Sequence, residues 1–344
     1  DRRGGGPVSE MTYGQAIDTA LAEAMAGDER VLTWGEDVQL IHRDLLARFG
    51  PARVRDTPIS EAAFVYAGVG AAMGGLRPVV EVMLVDFLTV AWSAVVNAAA
   101  KFPDFSGGHW PVPLVIRARC GGWYADGGQH EQSLWGQLAA TPGIAVVCPS
   151  TPADAAGLML TAIDTDPDVI YLEHKLLSEQ FLDYLGGASR PTLDFSRLVP
   201  PDGARGPVPE PLQPIPLGQS TLRRPGTDVA LVSVGVGVHR CLHAADELAR
   251  DGISAAVLDL RSIHPLDTHA IAALADRTGR LVVVDEDYTR GGLTGEIAAT
   301  LLTAGLAPRY RRVTVDTTIP FAPELEYQTL PNTQRIVTAA RELL

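Results

Sequence analysis

Three residues in the amino-terminal half of the chain combine side chains and positions that could support proton transfer at a binding crevice. Glu61 lies in the tripeptide ISE, directly before the apolar run AAFVYAGVGAAMGG, where a helix would bury its carboxyl group. Phe87 follows the apolar segment EVML, and His130 lies in the glycine-rich stretch 117–132. Carboxyl and imidazole groups are common general acids and bases. Glu61 and His130 are therefore candidate proton-transfer groups, with Phe87 as a candidate binding surface.

Each of these residues also has a common structural explanation. Ser60 could cap a helix whose first turn contains Glu61, because a negative charge there favours the helix dipole. His130 could be a surface histidine near a helix start, and Phe87 could simply fill the core. The position of all three at strand ends favours the functional explanation, because open α/β sheets place their binding sites at the carboxyl ends of strands. The three side chains are then predicted to line one crevice.

Alternating helix and strand patterns indicate how these residues are positioned. Thr12 and Gln15 form a capping box in front of an amphipathic helix. Apolar runs follow at helix-length intervals, and their sequences are VLTW, PVVEVML, PLVIRA, IAVVCP and DVIYLE. Strands that are apolar on both faces and separated by helices are typical of a parallel sheet covered on both sides. The predicted fold class is therefore α/β, with two domains that each have a largely parallel, helix-covered sheet.

Composition divides the chain into four segments. Residues 1–10 are predicted to form a disordered tail, and residues 11–185 the first α/β domain. Proline and glycine are dense in residues 186–226, which are therefore interpreted as a linker. Residues 227–344 contain the strand patterns DVALVSVG, SAAVLDL, RLVVVDED and RRVTV and are predicted to form a smaller α/β domain. In this domain, the acidic run 285–287 is interpreted as a solvated edge or a subunit contact.

The composition excludes several function classes. A formal net charge of −13 over 344 residues, without clustered Lys and Arg, argues against a nucleic-acid-binding surface. Cys120, Cys148 and Cys241 are widely spaced, so they offer neither a disulfide framework nor a Cys-x-x-Cys site. No apolar run is long enough to cross a bilayer. We therefore expect a cytoplasmic protein that binds neither nucleic acid nor membrane.

Several sequence blocks carry a resemblance to a known family. They are DTPISEAAFVYAGVGAAMGGLRPVVEVMLVDF and GGQHEQS in the first domain and GGLTGEIAA and LPNTQRIVTA in the second. In this order they resemble the β subunit of the thiamine-diphosphate-dependent decarboxylase component of 2-oxo acid dehydrogenase complexes. The resemblance extends from Met11 to the carboxyl terminus. It implies a transketolase-like pyrimidine-binding domain at 11–185. It also implies a transketolase-type carboxyl-terminal domain at 227–344, which dimerises and shapes the entrance for a lipoyl group.

The resemblance implies a role for each candidate residue. Glu61 matches the glutamate that hydrogen-bonds N1′ of the aminopyrimidine ring and so helps to remove the proton from thiazolium C2. Phe87 matches the aromatic residue that packs on the pyrimidine, and Ile59 and Met83 complete the implied cofactor-binding set. His130 matches the histidine near C2 and the substrate, where it could supply protons during reductive acylation of a lipoyl group.

The resemblance also implies that the chain works with partners. Thiamine-diphosphate enzymes that bind the diphosphate on one chain carry a Gly-Asp-Gly motif followed by an asparagine, and these residues provide oxygen ligands for Mg²⁺. Asn97 and Asn332 are the only asparagines, and no such motif precedes either of them. An α subunit is thus expected to hold the diphosphate and Mg²⁺ in an α₂β₂ heterotetramer. A lipoyl-bearing acyltransferase is the expected acyl acceptor.

A structural potassium site is a further implication of the resemblance. In some relatives, backbone carbonyl groups bind this ion. The matching positions here are Leu114, Ala162, Ile163, Thr165 and Pro167. The implied site would therefore be built from backbone oxygen atoms rather than from side chains.

The loop around His130 departs from the family pattern and leaves the substrate open. The family commonly has serine after this histidine, whereas Glu131 here would add a negative charge where a 2-oxo acid carboxylate approaches. Trp123 and Tyr124 are bulkier than the residues usual in this loop, and with Gln129 and Glu131 they form the predicted substrate pocket. Pyruvate or a branched-chain 2-oxo acid is the expected substrate. An acetoin dehydrogenase or a specialised carboligase is one alternative, and a non-catalytic structural or regulatory paralogue is another.

Overall fold

The computed structural model describes residues 7–181 and 198–344. The first strands are β1 (Val8–Thr12), β2 (Val31–Gly35), β3 (Val54–Asp56), β4 (Arg77–Leu84), β5 (Val115–Cys120), β6 (Ile144–Val147) and β7 (Asp168–His174). The helices between and after them are α1 (Tyr13–Gly27), α2 (Val38–Ile41), α3 (Arg43–Phe49), α4 (Glu61–Met73), α5 (Phe102–Phe105), α6 (Trp135–Ala139), α7 (Pro152–Asp164) and α8 (Glu179–Phe181). A 3₁₀-helix covers Val85–Thr89, and a π-helix covers Ala94–Ala99.

The remaining elements follow residue 198. The strands are β8 (Arg205–Pro209), β9 (Thr221–Arg224), β10 (Val229–Ser233), β11 (Ala255–Asp259), β12 (Ser262–His264), β13 (Arg280–Tyr288) and β14 (Arg309–Val315). The helices are α9 (Pro201–Ala204), α10 (Val236–Arg250), α11 (Thr268–Thr278), α12 (Leu293–Thr303), α13 (Pro323–Thr329) and α14 (Thr333–Arg341). Within the described ranges, no helix is both long and apolar enough to cross a membrane.

Two helix-covered sheets form the cores of two domains. The first sheet has the order β12-β6-β7-β5-β4-β2-β3. Strands β2 to β7 run parallel to one another, and the edge strand β12 pairs antiparallel with β6. Strands β2, β5, β6 and β7 are buried along their whole length, which is typical of parallel strands covered by helices on both faces. The second sheet has the order β14-β13-β10-β11-β9, in which only the edge strand β9 is antiparallel. The predicted fold class is therefore confirmed.

The segment boundaries differ from those predicted. Residues 8–10, assigned to a disordered tail, belong to β1, which pairs antiparallel with β8 through backbone hydrogen bonds. Strands β8 and β9 both lie in the segment interpreted as a linker. The prolines of β8 are compatible with a strand because this two-stranded sheet leaves one backbone edge unpaired. Residues 182–197, which include the predicted domain boundary at 185 and the start of the linker, lie outside the described residues.

The acidic run 285–287 joins the two domains, and its interpretation as a solvated edge or subunit contact is wrong. All three side chains are buried at the end of β13. They accept hydrogen bonds from the first domain: Asp285 from Trp135 Nε1 (2.9 Å), Glu286 from Gly122 N (2.6 Å) and Asp287 from Gly136 N (2.9 Å). Buried carboxylates need such donors. Strand β12 strengthens the connection because it pairs with β6 and so extends the sheet of the first domain.

A buried cluster of charged residues connects the central strands of the first sheet. Arg117 of β5 donates to both carboxylate oxygen atoms of Glu173 at 3.0 and 3.1 Å and to Glu81 at 3.4 Å. His42 Nε2 lies 2.8 Å from Glu81 Oε1. Burial disfavours the charged imidazole, but the carboxylates of Asp18 and Glu81 raise the pKa of His42 to about 9. The cluster therefore fixes β4, β5 and β7 below the edge from which the candidate site residues emerge.

Candidate active site

Glu61 is the first residue of α4, and this helix lies close against the first sheet. A Cβ atom added at Gly68 would lie 2.7 Å from Val80 Cγ2, which explains why this position of the helix has no side chain. The Ser60 side chain forms no capping hydrogen bond with any residue that the structure describes. Glu61 is only 7% exposed, so its first-turn position does not place the carboxyl group in solvent. The simple capping explanation therefore does not account for these two residues.

The surroundings of Glu61 are acidic on one side and apolar on another. Burial and the negative charges of Asp37 and Glu61 raise the pKa of Glu36, which follows the end of β2. Ile59 lies two residues before the helix and is 73% exposed. Its side chain is therefore accessible to a molecule outside this chain. A buried carboxyl group near an exposed apolar residue is compatible with a binding site to which a second molecule contributes.

Phe87 and His130 are in contact, so the structure brings together two of the three residues that were predicted to line one crevice. Their rings pack edge-to-face with centroids 5.6 Å apart and an interplanar angle of 83°. Both residues are half-buried. His130 Nδ1 is buried and has no hydrogen-bond partner among the described residues. This nitrogen therefore has hydrogen-bonding capacity that no described residue uses. Met83 packs beside Phe87 in a small apolar cluster with Leu84.

Asp86 anchors the segment after His130 to the 3₁₀-helix. Its Oδ1 accepts hydrogen bonds from Gln132 Nε2 at 2.8 Å and from Gln132 N at 3.3 Å. Gln132 Oε1 accepts in turn from the hydroxyl of Tyr288, which belongs to the second domain. Burial raises the pKa of Asp86 above its ordinary value. The second domain therefore contacts the site through a continuous chain of hydrogen bonds.

Lys175 is a site residue that the sequence analysis missed. Its side chain is fully buried directly after β7, and Nζ donates to the carbonyl oxygen of His130 at 2.6 Å. The same nitrogen lies 5.4 Å from the ring centroid of Tyr124. Burial lowers the pKa of Lys175. The only signal in the sequence was a lysine placed between an apolar strand and two leucines, which is unusual for a surface residue.

The predicted substrate-pocket residues do not share one environment. Gln129 is exposed, whereas Trp123, Tyr124 and Glu131 are buried. Glu131 accepts hydrogen bonds from the backbone N–H groups of Tyr124 and Gly127 at 2.7 and 3.0 Å. Burial is the main reason that the pKa of Glu131 is raised to about 9. Glu131 therefore does not present the expected negative charge to the crevice, and the substrate pocket remains a prediction.

Three of the five carbonyl groups of the implied potassium site already have partners in this chain. Arg77 Nη1 donates to the carbonyl oxygen atoms of Ile163 and Thr165 at 2.8 and 3.0 Å. The carbonyl of Leu114 accepts from Val169 N at 2.9 Å. The positive charge of Arg77, at hydrogen-bonding distance from these oxygen atoms, would repel a potassium ion bound to them. These positions fit a potassium ion poorly. In the two described ranges, no group of three or more His, Cys, Asp or Glu side chains could hold a metal ion.

Family models match both domains. The model described as the pyrimidine-binding domain of transketolase matches residues 9–180, and that of the transketolase C-terminal domain matches residues 218–336. A split-gene transketolase, described as an inactive β4 tetramer, has a similar fold with a TM-score of 0.75 and 20% identity, covering 99% of both chains.

Curated relatives from Bacillus subtilis (strain 168) match over nearly the full length. The β subunit of acetoin:2,6-dichlorophenolindophenol oxidoreductase is 36% identical, over 97% of each chain. The β subunit of 2-oxoisovalerate dehydrogenase is 35% identical, over 98% of this chain and 99% of the relative. The β subunit of the pyruvate dehydrogenase E1 component is 36% identical, with the same coverage.

Proposed function

Because this chain belongs to the family of transketolase-like β subunits of 2-oxo acid dehydrogenases, we propose that it supplies half of an active site for oxidative decarboxylation of a 2-oxo acid. The observation that carries the proposal is the placement of a buried Glu61, together with the Phe87–His130 ring pair, at the ends of parallel strands. This is the edge at which open α/β sheets bind their ligands.

Two polar groups among the described residues fit thiamine diphosphate. Glu61 offers a buried carboxyl group, and His130 Nδ1 is a buried polar atom without a partner among the described residues. When bound, the cofactor supplies the electron sink that decarboxylation needs. Glu61 would hold a proton at N1′ of the aminopyrimidine, and Phe87, Ile59 and Met83 would bind the ring. His130 would give or take a proton beside the substrate.

The remaining components come from partner chains in this proposal. The chain has no Gly-Asp-Gly motif followed by an asparagine, so an α subunit would hold the diphosphate and Mg²⁺ in an α₂β₂ heterotetramer. The exposed side chain of Ile59 beside Glu61 supports a site that another chain completes. A lipoyl group on an acyltransferase would accept the acyl group. No part of the proposal depends on potassium.

The test is a single substitution in the enzyme reconstituted with its α subunit. Glu61→Gln keeps the size of the side chain but cannot exchange a carboxyl proton, so the kcat of decarboxylation should fall at least about 100-fold. Assembly, measured by size-exclusion chromatography, should not change. Glu29→Gln alters an exposed carboxylate before β2 and should leave both properties unchanged. Near-normal turnover by the assembled Glu61→Gln enzyme would contradict the proposal.

The substrate is to be decided with the same reconstituted enzyme. We expect release of CO₂ from pyruvate or from 2-oxoisovalerate, because relatives of both types match almost equally well. The acetoin-type relative is just as similar, so cleavage of acetoin is the alternative outcome. A chain that processes none of these compounds, and does not promote exchange of the C2 proton of the cofactor, would be the non-catalytic paralogue.

A further inference from the structure

The backbone of the loop before His130 is held almost entirely by carboxyl groups. Three glutamates accept its N–H groups, and two of them belong to the second domain. The bonds are Gly122 N to Glu286 (2.6 Å), Trp123 N to Glu326 (2.6 Å), Tyr124 N to Glu131 (2.7 Å) and to Glu326 (3.0 Å), Ala125 N to Glu326 (3.2 Å), and Gly127 N to Glu131 (3.0 Å). This loop is therefore shaped around anionic partners.

The loop conformation needs these partners. Trp123 and Ala125 have φ angles of 76° and 55°, in the left-handed region that non-glycine residues rarely adopt. Alternation of left-handed and ordinary backbone turns successive N–H groups toward one centre, which is an arrangement that binds anions. The energy of the strained residues is offset by hydrogen bonds to carboxylates. The loop is then connected to the site, because His130 N donates to the carbonyl oxygen of Gly127 at 3.0 Å.

Glu131 and Glu326 face each other across one shared donor. The Oε1 atoms of both residues accept the N–H group of Tyr124, so these two oxygen atoms are close neighbours. Both side chains are buried. Two ionised carboxylates cannot remain so close without water, and sharing one proton removes the repulsion. Burial raises the pKa of each carboxyl group, which agrees with a proton held between them.

We propose that Glu131 and Glu326 share one proton and act as a positioning pair that fixes residues 122–127 and, through them, His130. Neither residue needs to touch the cofactor or the substrate in this role. The effect on turnover rests on the proposed function, whereas the proton sharing and the loop geometry do not.

The geometry assigns the proton to Glu131. Glu326 accepts three backbone N–H groups and needs both of its oxygen atoms as acceptors. If Glu131 carries the proton and donates it to Glu326, every N–H group of the loop keeps an acceptor. Glutamine at position 131 would preserve this pattern, because its Nε2 can donate to Glu326 while its Oε1 accepts from Gly127. Glutamine at position 326 has one oxygen atom for three donors.

Hydrogen exchange in the full-length α/β complex tests the asymmetry. Glu326→Gln should raise the exchange rates of the amides of residues 122–125 by about tenfold or more, as expected for loss of a hydrogen bond to a charged group. Glu131→Gln should raise them by less than about threefold. Glu324→Gln changes an exposed carboxylate on the same helix and should have no effect. Equal exchange in the Glu131→Gln and Glu326→Gln proteins would refute the assignment of the proton.

The pH dependence of thermal stability distinguishes a shared proton from a contact that does not titrate. The pKa of this carboxyl group is higher in the folded chain than in the unfolded chain. Its contribution to stability is therefore fully present at a pH below the unfolded pKa, and it is lost as the pH rises toward the folded pKa of about 9. The thermal stability of the Glu131→Gln protein should therefore decline less between pH 5 and pH 9 than that of the unaltered chain. Other charged groups around the loop are Lys175, Asp86, Glu286 and Arg240, and all are retained in both proteins. Parallel pH profiles would refute the shared proton.

Turnover tests the positioning role separately. Glu326→Gln should lower kcat more than it changes KM, because His130 is displaced while the outer binding residues remain. A loop that exchanges faster without any loss of kcat would overturn the role in positioning His130. These results can be told apart from failure of the proposed function. Near-normal turnover in the Glu61→Gln enzyme contradicts that function but leaves the exchange and stability measurements interpretable.

Discussion

Removal of Arg117 is expected to destabilise the first domain strongly, because the charges around it balance. The buried cluster contains three carboxylates, Asp18, Glu81 and Glu173, and three cationic groups, His42, Arg117 and Arg119. Burial opposes ionisation of Glu81, but Arg117 and His42 hold the pKa of its carboxyl group well below the usual range. Arg117→Met preserves much of the side-chain volume and leaves one negative charge uncompensated.

The magnitude follows from the complete burial of both Arg117 and Glu173. Breaking a buried ion pair by removal of one partner costs about 3–5 kcal/mol. For a chain of 344 residues, that corresponds to a decrease in unfolding temperature of roughly 4–7 °C. Arg117→Lys should recover little of the loss, because lysine has one nitrogen atom, whereas Arg117 uses two to bind Glu173 and a third to reach Glu81. The measurement is thermal unfolding followed by circular dichroism.

The double variant Arg117→Met with Glu173→Gln provides the internal control. It restores the balance of charge, so it should be more stable than Arg117→Met alone. Arg311 forms an ion pair with Glu342 on the surface, and Arg311→Met should not change the unfolding temperature measurably. If Arg117→Met lowers stability no more than Arg311→Met does, the cluster does not stabilise the sheet as described.

Two further predictions concern the buried carboxyl group of Asp168 and the contact between the domains. Asp168→Asn should raise the unfolding temperature at about pH 8 but hardly at about pH 4. Burial raises the pKa of Asp168 to about 7, so at pH 8 the folded chain must hold a buried negative charge that the unfolded chain exposes to water, whereas asparagine stays neutral in both states. Equal effects at both pH values would contradict this. A Cβ atom at Gly136 would lie 2.0 Å from the carbonyl oxygen of Gly291, so Gly136→Ala should lower the unfolding temperature. Gly295→Ala adds a Cβ atom that meets nothing within 4 Å and should not lower it.

The sheet and the meeting of Phe87 with His130 could be predicted because they depend on local patterns. Continuous apolar runs separated by helices specify parallel strands, and the carboxyl ends of such strands share one edge. Strands β4 and β5 are neighbours, so the residues that follow them come together. The same reasoning failed for residues 8–10. Their pairing partner β8 lies about two hundred residues later in a proline-rich segment, and no local pattern marks it.

The contacts that hold the glycine-rich loop could not be predicted for a related reason. Glu286 and Glu326 bind backbone N–H groups of residues 122–125, which every residue except proline has. Such contacts leave no pattern of side-chain types in the loop, and their partners are far apart in the sequence. The burial of Glu131 was missed for the same reason, because a glutamate after a histidine looks like a surface charge until its backbone partners are known.

Backbone anchoring explains how this loop accommodates unusual side chains. Trp123 and Tyr124 are bulky, yet the N–H groups of both residues are held by carboxylates, and their rings pack elsewhere. Trp123 lies against Arg240 and Tyr327 of the second domain, whereas Tyr124 packs with Met83. The position of His130 therefore depends on the backbone path rather than on the identity of these two side chains. It follows that the second domain contributes to the site mainly by fixing this path.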